Sequence, residues 1–352
     1  MTAQRRFQAD DLKPFIVRLF VTAGQTEKAA TRVVDALIEA DFSGRGSHGI
    51  LQADGYIGRL MSGAMSAGDQ TKIISESGGA IVLDAQGIEG HLAAEDAMAI
   101  GIDRARRQGI AAVAVRNGFH FGVAGRYVRL AAEQGCVALV MCNTRPVMAA
   151  PGGAERLVGT NPLAIGMPTN DTPFVFDMAT STGSYGRIRQ ARAAGRPIPG
   201  DWALDATGQP TTDAAAAMDG FLLPAGGAKG FGLALAIDML SGMLADGGWG
   251  PGLGTLDDAA SLASNGSYLF IVIDVGHFRA VEEFRADASA SGERVRNSCR
   301  AEGTERLFTP GERSAETLAQ SDGTIALPTP VIAALTARAA ALGVAVPDFL
   351  QS

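Results

Sequence analysis

Residues 44–49, with the sequence GRGSHG, match the dinucleotide-binding pattern G-x-G-x-x-G, but their position in the chain does not suit that role. A Rossmann glycine loop follows a strand and begins a helix, so that backbone amides meet a pyrophosphate. Here a helix comes first, because apolar residues recur at helical spacing after Thr26, at Ala30, Val33, Val34, Leu37 and Ile38. The glycines therefore end a helix, and the residue that they expose is His48.

The composition is ordinary for a globular protein and narrows the range of partners. Hydrophobic residues make up 47% of the 352 residues and charged residues 19%, and the length favours two lobes. The formal charge of −7 argues against nucleic acid or anionic lipid, since both select for basic patches. We therefore expect neither nucleic acid nor a membrane as a partner.

The chain shows no targeting segment and no cysteine motif. Charged residues interrupt the first twenty positions, and no run approaches the roughly 20 apolar residues that span a bilayer. Cys136, Cys142 and Cys299 lack C-x-x-C spacing, which indicates buried reduced thiols rather than disulfides or a zinc site. These features predict a cytoplasmic protein without a metal.

Strand and helix patterns alternate after an N-terminal helical region of about 70 residues. A hairpin is expected across residues 72–84, and no long helix separates the short strands at 163–167 and 174–176. This pattern predicts a mixed α/β sheet rather than an all-parallel Rossmann sheet. Other strands are expected at 110–115, 137–141 and 268–274, and other helices at 91–107, 123–134, 230–244, 281–298 and 330–342.

Two of the four histidines are candidates for acid–base chemistry. His48 lies at a helix boundary beside Ser47, whose hydroxyl can orient the ring. His120 lies between a strand and a helix, where α/β proteins place ligands. A structural role is the alternative for both, and we expect His91 and His277 to be structural or capping residues.

Lys229 lies in a glycine-rich turn directly before a helix, where a cation and free backbone amides suit a phosphate. No hydroxyl residue follows the lysine, so this is not a Walker motif. A solvated lysine is one alternative, and a Schiff-base lyase that uses Lys229 is another. Residues 159–162 and 177–180 lie beside strands with backbone groups free for a ligand, although Asp177 is alternatively a helix cap.

Seven ordered motifs resemble those of the malate/L-lactate dehydrogenase family, which includes ureidoglycolate, diketogulonate, sulfolactate and cyclic-imine enzymes. The resemblance extends from about residue 10 to 345. The motifs are SHG at 47–49, Asn117 with HFG at 120–122, GTNP at 159–162, DMAT at 177–180, WALD at 202–205, GGAKG at 226–230 and PGE at 310–312.

The resemblance implies an NAD- or NADP-dependent oxidoreductase that interconverts 2-hydroxy and 2-oxo acids, or reduces a related carbonyl or cyclic imine. The implied fold is a non-Rossmann mixed-sheet cofactor domain, residues 73–300, packed on a helical domain formed from residues 1–72 and 301–352, in a homodimer. His48 would donate the proton, with Ser47 and His120 beside it. The implied cofactor contacts are Asn143, Thr144, Thr160, Asn161, Asp177, Met178, Ala179, Thr180, Lys229, Gly311 and Glu312.

One departure from the family pattern concerns the substrate pocket, which also includes Tyr56. The family usually has an arginine for the substrate carboxylate where this chain has Gln52, and Ser43 also replaces a common arginine. Either another cation takes over, or the substrate is not a simple 2-oxo acid. The candidate cations are Arg45, Arg116, Arg126 and Arg145. A catalytically silent cofactor-binding homologue is a further alternative.

Overall fold

The computed structural model describes residues 4–254 and 264–351. Short and long strands occur along the whole of this length, and most of them join one sheet. The strands are β1 (Gln4–Gln8), β2 (Lys72–Ser77), β3 (Ala80–Asp84), β4 (Ile110–Gly118), β5 (Cys136–Cys142), β6 (Leu163–Met167), β7 (Phe174–Met178), β8 (Ala203–Leu204), β9 (Phe221–Leu222), β10 (Gly266–Asp274) and β11 (Thr324–Pro328).

Helices cover both chain ends and the two faces of the sheet. They are α1 (Ala9–Thr22), α2 (Glu27–Phe42), α3 (Ala53–Ser62), α4 (Gly90–Gln108), α5 (Ala124–Glu133), α6 (Tyr185–Ala193), α7 (Ala214–Asp219), α8 (Ala228–Asp238), α9 (Val281–Arg296), α10 (Glu312–Ala319), α11 (Thr329–Leu342) and α12 (Asp348–Gln351). The expected helix at 230–244 is thus α8 continued by a π-helical turn, Met239–Met243.

The main sheet has seven strands in the order β2-β3-β4-β10-β5-β6-β7. Only the β3–β4 pair is parallel, and the other five pairs are antiparallel. The predicted hairpin at 72–84 is the β2–β3 pair. The prediction of a mixed, non-Rossmann sheet is therefore confirmed, because a doubly wound fold requires parallel neighbours joined by helical crossovers.

The strand directions bring distant loops together at one edge of this sheet. Gly118 at the end of β4 pairs with Gly266 at the start of β10, and Cys142 at the end of β5 pairs with Tyr268. Leu163 at the start of β6 pairs with Met178 at the end of β7. The loops that follow β4, β5 and β7 and precede β6 and β10 consequently share one edge, which we call the site edge.

The two chain ends pack on each other and on the sheet. β1 pairs with β11 in a two-stranded sheet, and α11 contacts α1 and α3. The buried side chains of these helices belong to the same hydrophobic cluster as those of the main sheet, with Leu12, Leu37 and Leu335 joined to Val113 and Phe270. The predicted helical unit formed from both ends is present, and it shares one core with the sheet.

Two predictions about individual residues are wrong. Cys136 and Cys142 are buried as expected, but Cys299 is exposed, because it follows the end of the surface helix α9. Asp177 does not cap a helix, since it lies within β7. Among the described residues, no helix combines the length and apolar character that a membrane crossing requires.

Candidate active site

The glycine-rich segment after α2 is folded around the carboxylate of Asp41. Asp41 Oδ2 accepts a hydrogen bond of 2.9 Å from the backbone N–H of Ile50. A Cβ atom on Gly49 would lie 2.2 Å from the Asp41 carboxylate, and Gly44 has a φ of +76°, in the left-handed region. The glycines therefore allow the chain to turn tightly around a partly buried acid, and its burial raises the pKa of Asp41 to about 6.

Ser47 and His48 lie on the 3₁₀ turn that this packing creates. The Ser47 hydroxyl lies 2.9 Å from His48 Nδ1, which confirms the predicted contact between the two side chains. Gln52 Nε2 donates a hydrogen bond of 2.8 Å to the carbonyl oxygen of Ser47. The side chain of Gln52 thus stabilises the turn that holds His48.

His120 reaches the same place from the site edge, in the loop that follows β4. Its ring is stacked on the ring of His48, with a centroid separation of 5.3 Å. The Tyr56 hydroxyl on α3 lies 2.5 Å from His120 Nδ1. Nδ1 of His48 thus contacts Ser47, and Nδ1 of His120 contacts Tyr56. Because Nδ1 of each ring already has a partner in the protein, Nε2 is the nitrogen left for a ligand.

The environment of the two rings favours neutral imidazoles. Burial, with the charges of Arg45 and His91, lowers the pKa of His48 to about 4. Burial also holds the pKa of His120 well below its usual range, with contributions from His48 and His91. Burial raises the pKa of Tyr56, so its hydroxyl stays protonated. The free site therefore contains two neutral histidines and one phenol at neutral pH.

A buried Glu89–His91 pair lies beneath these rings, and the sequence did not reveal it. Glu89 accepts two hydrogen bonds from His91, 2.8 Å from the backbone N–H and 2.7 Å from Nδ1. The His91 ring meets the Tyr56 ring edge to face at 6.2 Å. His91 was expected to be structural or capping, and it does begin α4, but its ring also faces the cavity described next.

A cavity of about 320 Å³ lies between α2, α5, β7 and α10, and its described lining includes neither His48 nor His120. Arg45 and His91 line it, and Arg45 lies 3.6 Å from the Asp177 carboxylate. Asp177 also accepts a 3.2 Å hydrogen bond from the backbone N–H of Gly125. Burial raises the pKa of Asp177, and the charge of Arg45 opposes this shift. Much of the remaining wall is apolar, including Ala36, Ala40, Val123, Val175, Ala315 and Leu318.

The other candidate cations are engaged elsewhere. Arg126 pairs with Glu39 and Glu95. Arg116 pairs with Asp84 and Asp246, and the Arg145 guanidinium lies over the Tyr185 ring. Arg45 is consequently the candidate cation placed on the His48 turn itself.

The predicted cofactor contacts that follow β5, precede β6, or end or follow β7 lie at the site edge, but several of their side chains bond within the protein. Asn143 accepts from the backbone N–H of Ser267 and donates to the carbonyl of Gly248. Asn161 accepts from the backbone N–H of Thr144 and donates to the carbonyl of Ala234. These two amide side chains therefore hold neighbouring backbone segments together at the site edge.

The threonines among the predicted cofactor contacts also bond within the protein. The hydroxyl of buried Thr180 donates to the carbonyl of Thr160, 2.9 Å away. The Thr160 and Thr144 hydroxyls are 3.4 Å apart. Met178 and Ala179, which precede Thr180, are half-buried.

Lys229 lies in the first turn of α8 and is exposed. The two glycines before the helix, Gly226 and Gly227, have φ values of +65° and +64°, with open space where a side chain would project. Backbone amides at the helix start and the lysine cation together fit a phosphate group. The exposure of Lys229 does not provide the apolar surroundings that the Schiff-base hypothesis requires.

Gly311 and Glu312 lie at the start of α10. Gly311 has a φ of +88° and lines the cavity, where its backbone packs against Val175. Glu312 accepts hydrogen bonds from Thr309 and pairs with Arg306. Within residues 4–254 and 264–351, no group of three or more His, Cys, Asp or Glu residues is arranged to hold a metal ion.

Comparison with known proteins identifies the family. The family model for malate/L-lactate dehydrogenase matches residues 7–336. The malate dehydrogenase of Pyrococcus abyssi is 36% identical over 321 residues, covering 89% of this chain and 88% of that protein.

Solved structures agree with this comparison. The sulfolactate dehydrogenase of Methanocaldococcus jannaschii has a TM-score of 0.91 and 33% identity, with 97% and 98% of the two chains covered. The delta1-piperideine-2-carboxylate reductase of Pseudomonas syringae has a TM-score of 0.84 and 28% identity, with 95% and 99% covered. The chain belongs to the malate/L-lactate dehydrogenase family and is an NAD(P)-dependent oxidoreductase that acts on CH–OH groups.

Proposed function

We propose that the protein interconverts a 2-oxo acid and a 2-hydroxy acid, and that His48 transfers the proton. The observation that carries this proposal is the stacked His48–His120 pair, with Nδ1 of each ring engaged by Ser47 or Tyr56. Two nitrogens, one on each ring, are then available to a substrate oxygen. General acid–base catalysis by a placed histidine typically contributes 10²–10⁴-fold to the rate.

The protonation states of the site suit both directions of this reaction. A bound nicotinamide supplies or accepts the hydride. In oxidation, neutral His48 accepts the proton of the substrate hydroxyl. In reduction, His48 must carry a proton before it can donate one to the oxygen, and a bound substrate anion favours that charged form.

The start of α8 is the proposed site for the cofactor pyrophosphate. Lys229, with Gly226 and Gly227, offers a cation and backbone amides with open space around them. The site edge and Gly311 extend this surface along the sheet and toward the cavity. The cofactor is NAD or NADP.

The proposed substrate carries a carboxylate. The names of the relatives, malate, sulfolactate and piperideine-2-carboxylate enzymes, all describe substrates with an acidic group. Arg45 lies on the His48 turn, with its side chain 42% exposed, and we assign it to the substrate carboxylate. Tyr56 contacts the His120 ring, and Gln52 holds the turn that carries His48.

The proposed assembly is a homodimer, supported by an exposed apolar face on α8 and the π-helical turn. Leu235, Met239, Leu240, Met243 and Leu244 are each between 41% and 58% exposed. An apolar patch of this kind is typical of protein interfaces. Sedimentation of the wild type and of Leu240→Glu tests this assembly, since a charge in the interface should produce monomers.

The test of the activity is the absorbance of reduced nicotinamide in the presence of a substrate panel. The protein is mixed with NADH or NADPH and with 2-oxo acids, cyclic imines or uncharged ketones. Oxidation with a 2-oxo acid supports the proposal, and oxidation only with uncharged ketones contradicts it. Cofactor binding without any turnover would favour a catalytically silent homologue, and trapping of a substrate on Lys229 by borohydride would favour the lyase.

A further inference from the structure

We propose that the side-chain amide oxygen of Gln52 binds a hydrogen-bond donor of the substrate, an O–H or N–H group carried near the reacting carbon. This inference rests on the proposed 2-oxo acid chemistry and names the class of 2-oxo acid that the site prefers. A second carboxylate at this position is disfavoured, because it offers no proton to the amide oxygen. Gln52 is then a substrate-binding residue that determines specificity.

One hydrogen bond fixes the orientation of the Gln52 amide. Its Nε2 donates to the carbonyl oxygen of Ser47 at a distance of 2.8 Å. A backbone carbonyl only accepts hydrogen bonds, so the amide nitrogen must face it and the amide oxygen must face away. The group that Gln52 presents to a ligand is therefore an acceptor.

The Gln52 amide lies next to both histidine loops. The Ser47 carbonyl that it binds belongs to the peptide bond that leads into His48. Tyr56 follows Gln52 by one helical turn, and its hydroxyl reaches the His120 ring. Because residues four apart share a face of a helix, Gln52 and Tyr56 lie on the face of α3 that meets the stacked rings.

The amide oxygen is accessible to a ligand. No residue within 4–254 and 264–351 donates a hydrogen bond to Gln52 Oε1, and the protein does not enclose this oxygen. Gln52, His48 and His120 are each half-buried, whereas Tyr56 is only 1% exposed. The accessible polar side chains of this group are thus the two histidines and Gln52, and the phenol is enclosed.

The surroundings of Gln52 favour a neutral donor over a second anion. Arg338, which reaches α3 from α11, pairs with Asp54. Arg45 is assigned to the carboxylate next to the reacting carbon. A second carboxylate near Gln52 would therefore meet an acceptor oxygen instead of a cation, whereas a hydroxyl or an amide N–H would form a hydrogen bond with it.

The test compares kcat/KM for pairs of 2-oxo acids that differ in this one group. The first pair, 2-oxosuccinamate and oxaloacetate, have nearly the same shape, but the former ends in an amide and the latter in a carboxylate. The second pair, hydroxypyruvate and pyruvate, differ by a hydroxyl group. With whichever of NADH or NADPH the protein oxidises, kcat/KM should be about tenfold higher for the amide and for the hydroxy compound, since each forms an additional hydrogen bond.

The variant Gln52→Arg separates this role from a structural one. Arginine can still donate to the Ser47 carbonyl, so the turn keeps its hydrogen bond, but arginine presents a cation and has no acceptor. The preference should invert, with kcat/KM about tenfold higher for oxaloacetate than for 2-oxosuccinamate. In Gln52→Leu, which has neither donor nor acceptor, both pairs should be reduced with nearly equal kcat/KM. If Gln52→Leu does not fold, Gln52→Arg still decides the question.

The matched control is Gln134→Leu. Gln134 also donates from Nε2 to a backbone carbonyl, that of Leu130. It is exposed, however, and precedes β5 at the edge of the sheet opposite the site edge. This variant should keep the substrate preferences of the wild type.

Three outcomes contradict the inference. The first is a wild type that reduces oxaloacetate as efficiently as 2-oxosuccinamate, or more efficiently. The second is a Gln52→Arg variant with the substrate preferences of the wild type. The third is an equal change of preference in Gln134→Leu, which would show that the preference does not depend on the Gln52 oxygen. Failure of the wild type to reduce any 2-oxo acid would instead contradict the proposed function.

Discussion

His48 and His120 are 72 positions apart in the chain, yet their rings are stacked with centroids 5.3 Å apart. One ring is carried by a turn that ends α2, and the other by the loop that follows β4. Because each ring has its own Nδ1 partner, the two histidines need not have equal roles. The proposed function assigns proton transfer to His48.

Removal of the His48 ring should abolish most turnover without preventing cofactor binding. His48→Ala is expected to lower kcat/KM by at least about 10²-fold, the usual contribution of a general acid–base group. Cofactor affinity, measured by nicotinamide fluorescence, should change little, since the proposed cofactor groups lie elsewhere on the site edge. Near-full activity in this variant would show that His48 does not transfer the proton.

The pH dependence of oxidation should reflect the lowered pKa of His48. Neutral His48 is the base, so kcat/KM for the hydroxy acid should be flat from neutral pH down to about 5 and fall as the pH approaches about 4. The kcat/KM profile reports ionisation of the free enzyme. A fall in kcat/KM centred near the ordinary histidine pKa of 6.5 would show that the pKa of His48 is not lowered.

Asp41 should make stability depend on pH in the range where its partly buried carboxyl titrates. The pKa of Asp41 in the folded protein, about 6, lies above the ordinary aspartate value of 3.8, so the folded state binds more protons between these values. Stability from this group is therefore present below pH 3.8 and is lost as pH rises through 6. Between these two limits the contribution of Asp41 to the free energy of unfolding changes by about 3 kcal/mol.

Asp41→Asn keeps an acceptor for the Ile50 N–H but cannot ionise. Relative to this variant, the wild type should become less stable from pH 4 to 6, as measured by urea unfolding. Parallel curves for the two proteins across this range would mean that Asp41 does not titrate there. The comparison is made at fixed ionic strength, because screening alters surface charges.

The tight packing of Gly49 on Asp41 predicts a specific glycine requirement. In Gly49→Ala the new methyl group would meet the carboxylate at 2.2 Å, so we expect loss of both stability and activity. Gly55→Ala is the matched control, since Gly55 lies inside α3 with open space at its Cβ position. The control should be neutral or more stable by about 0.5–1 kcal/mol in urea unfolding, because alanine favours the helix.

Lys229 should affect cofactor binding rather than chemistry. Lys229→Ala removes the cation at the start of α8 and should raise the KM for NAD(P)H about tenfold, with kcat changed little. Lys72→Ala, which removes an exposed lysine on β2, is the control. Loss of kcat with an unchanged KM would instead assign Lys229 to the reaction.

Local signals predicted the elements, because helix and strand periodicities reflect which side chains are buried. The glycines at 44–49 were correctly placed at a helix end. The reason why glycines are needed there is the Asp41 carboxylate within the turn. It was not predictable, since nothing in the sequence pattern shows that this acid lies inside the turn. The site edge also depended on strand order, which the short loops did not specify.

The contacts of the Glu89–His91 pair were not predictable from the sequence either. In the sequence these residues stand two apart at the start of a helix, which is typical of a cap, and Glu89 does cap α4. Only the packing of Gly90 and Gly122 brings the ring to the His120 loop. Residues whose role depends on close backbone contact between distant segments carry no local signal.

The most direct measurement follows the hydride itself. The protein is supplied with reduced nicotinamide cofactor that carries deuterium at both C4 positions and with the 2-oxo acid that it reduces fastest, and the product is examined by NMR. The account predicts deuterium at C2 of a 2-hydroxy acid with the wild type, and almost none with His48→Ala. Absence of deuterium from the wild-type product, or equal transfer by His48→Ala, would contradict it.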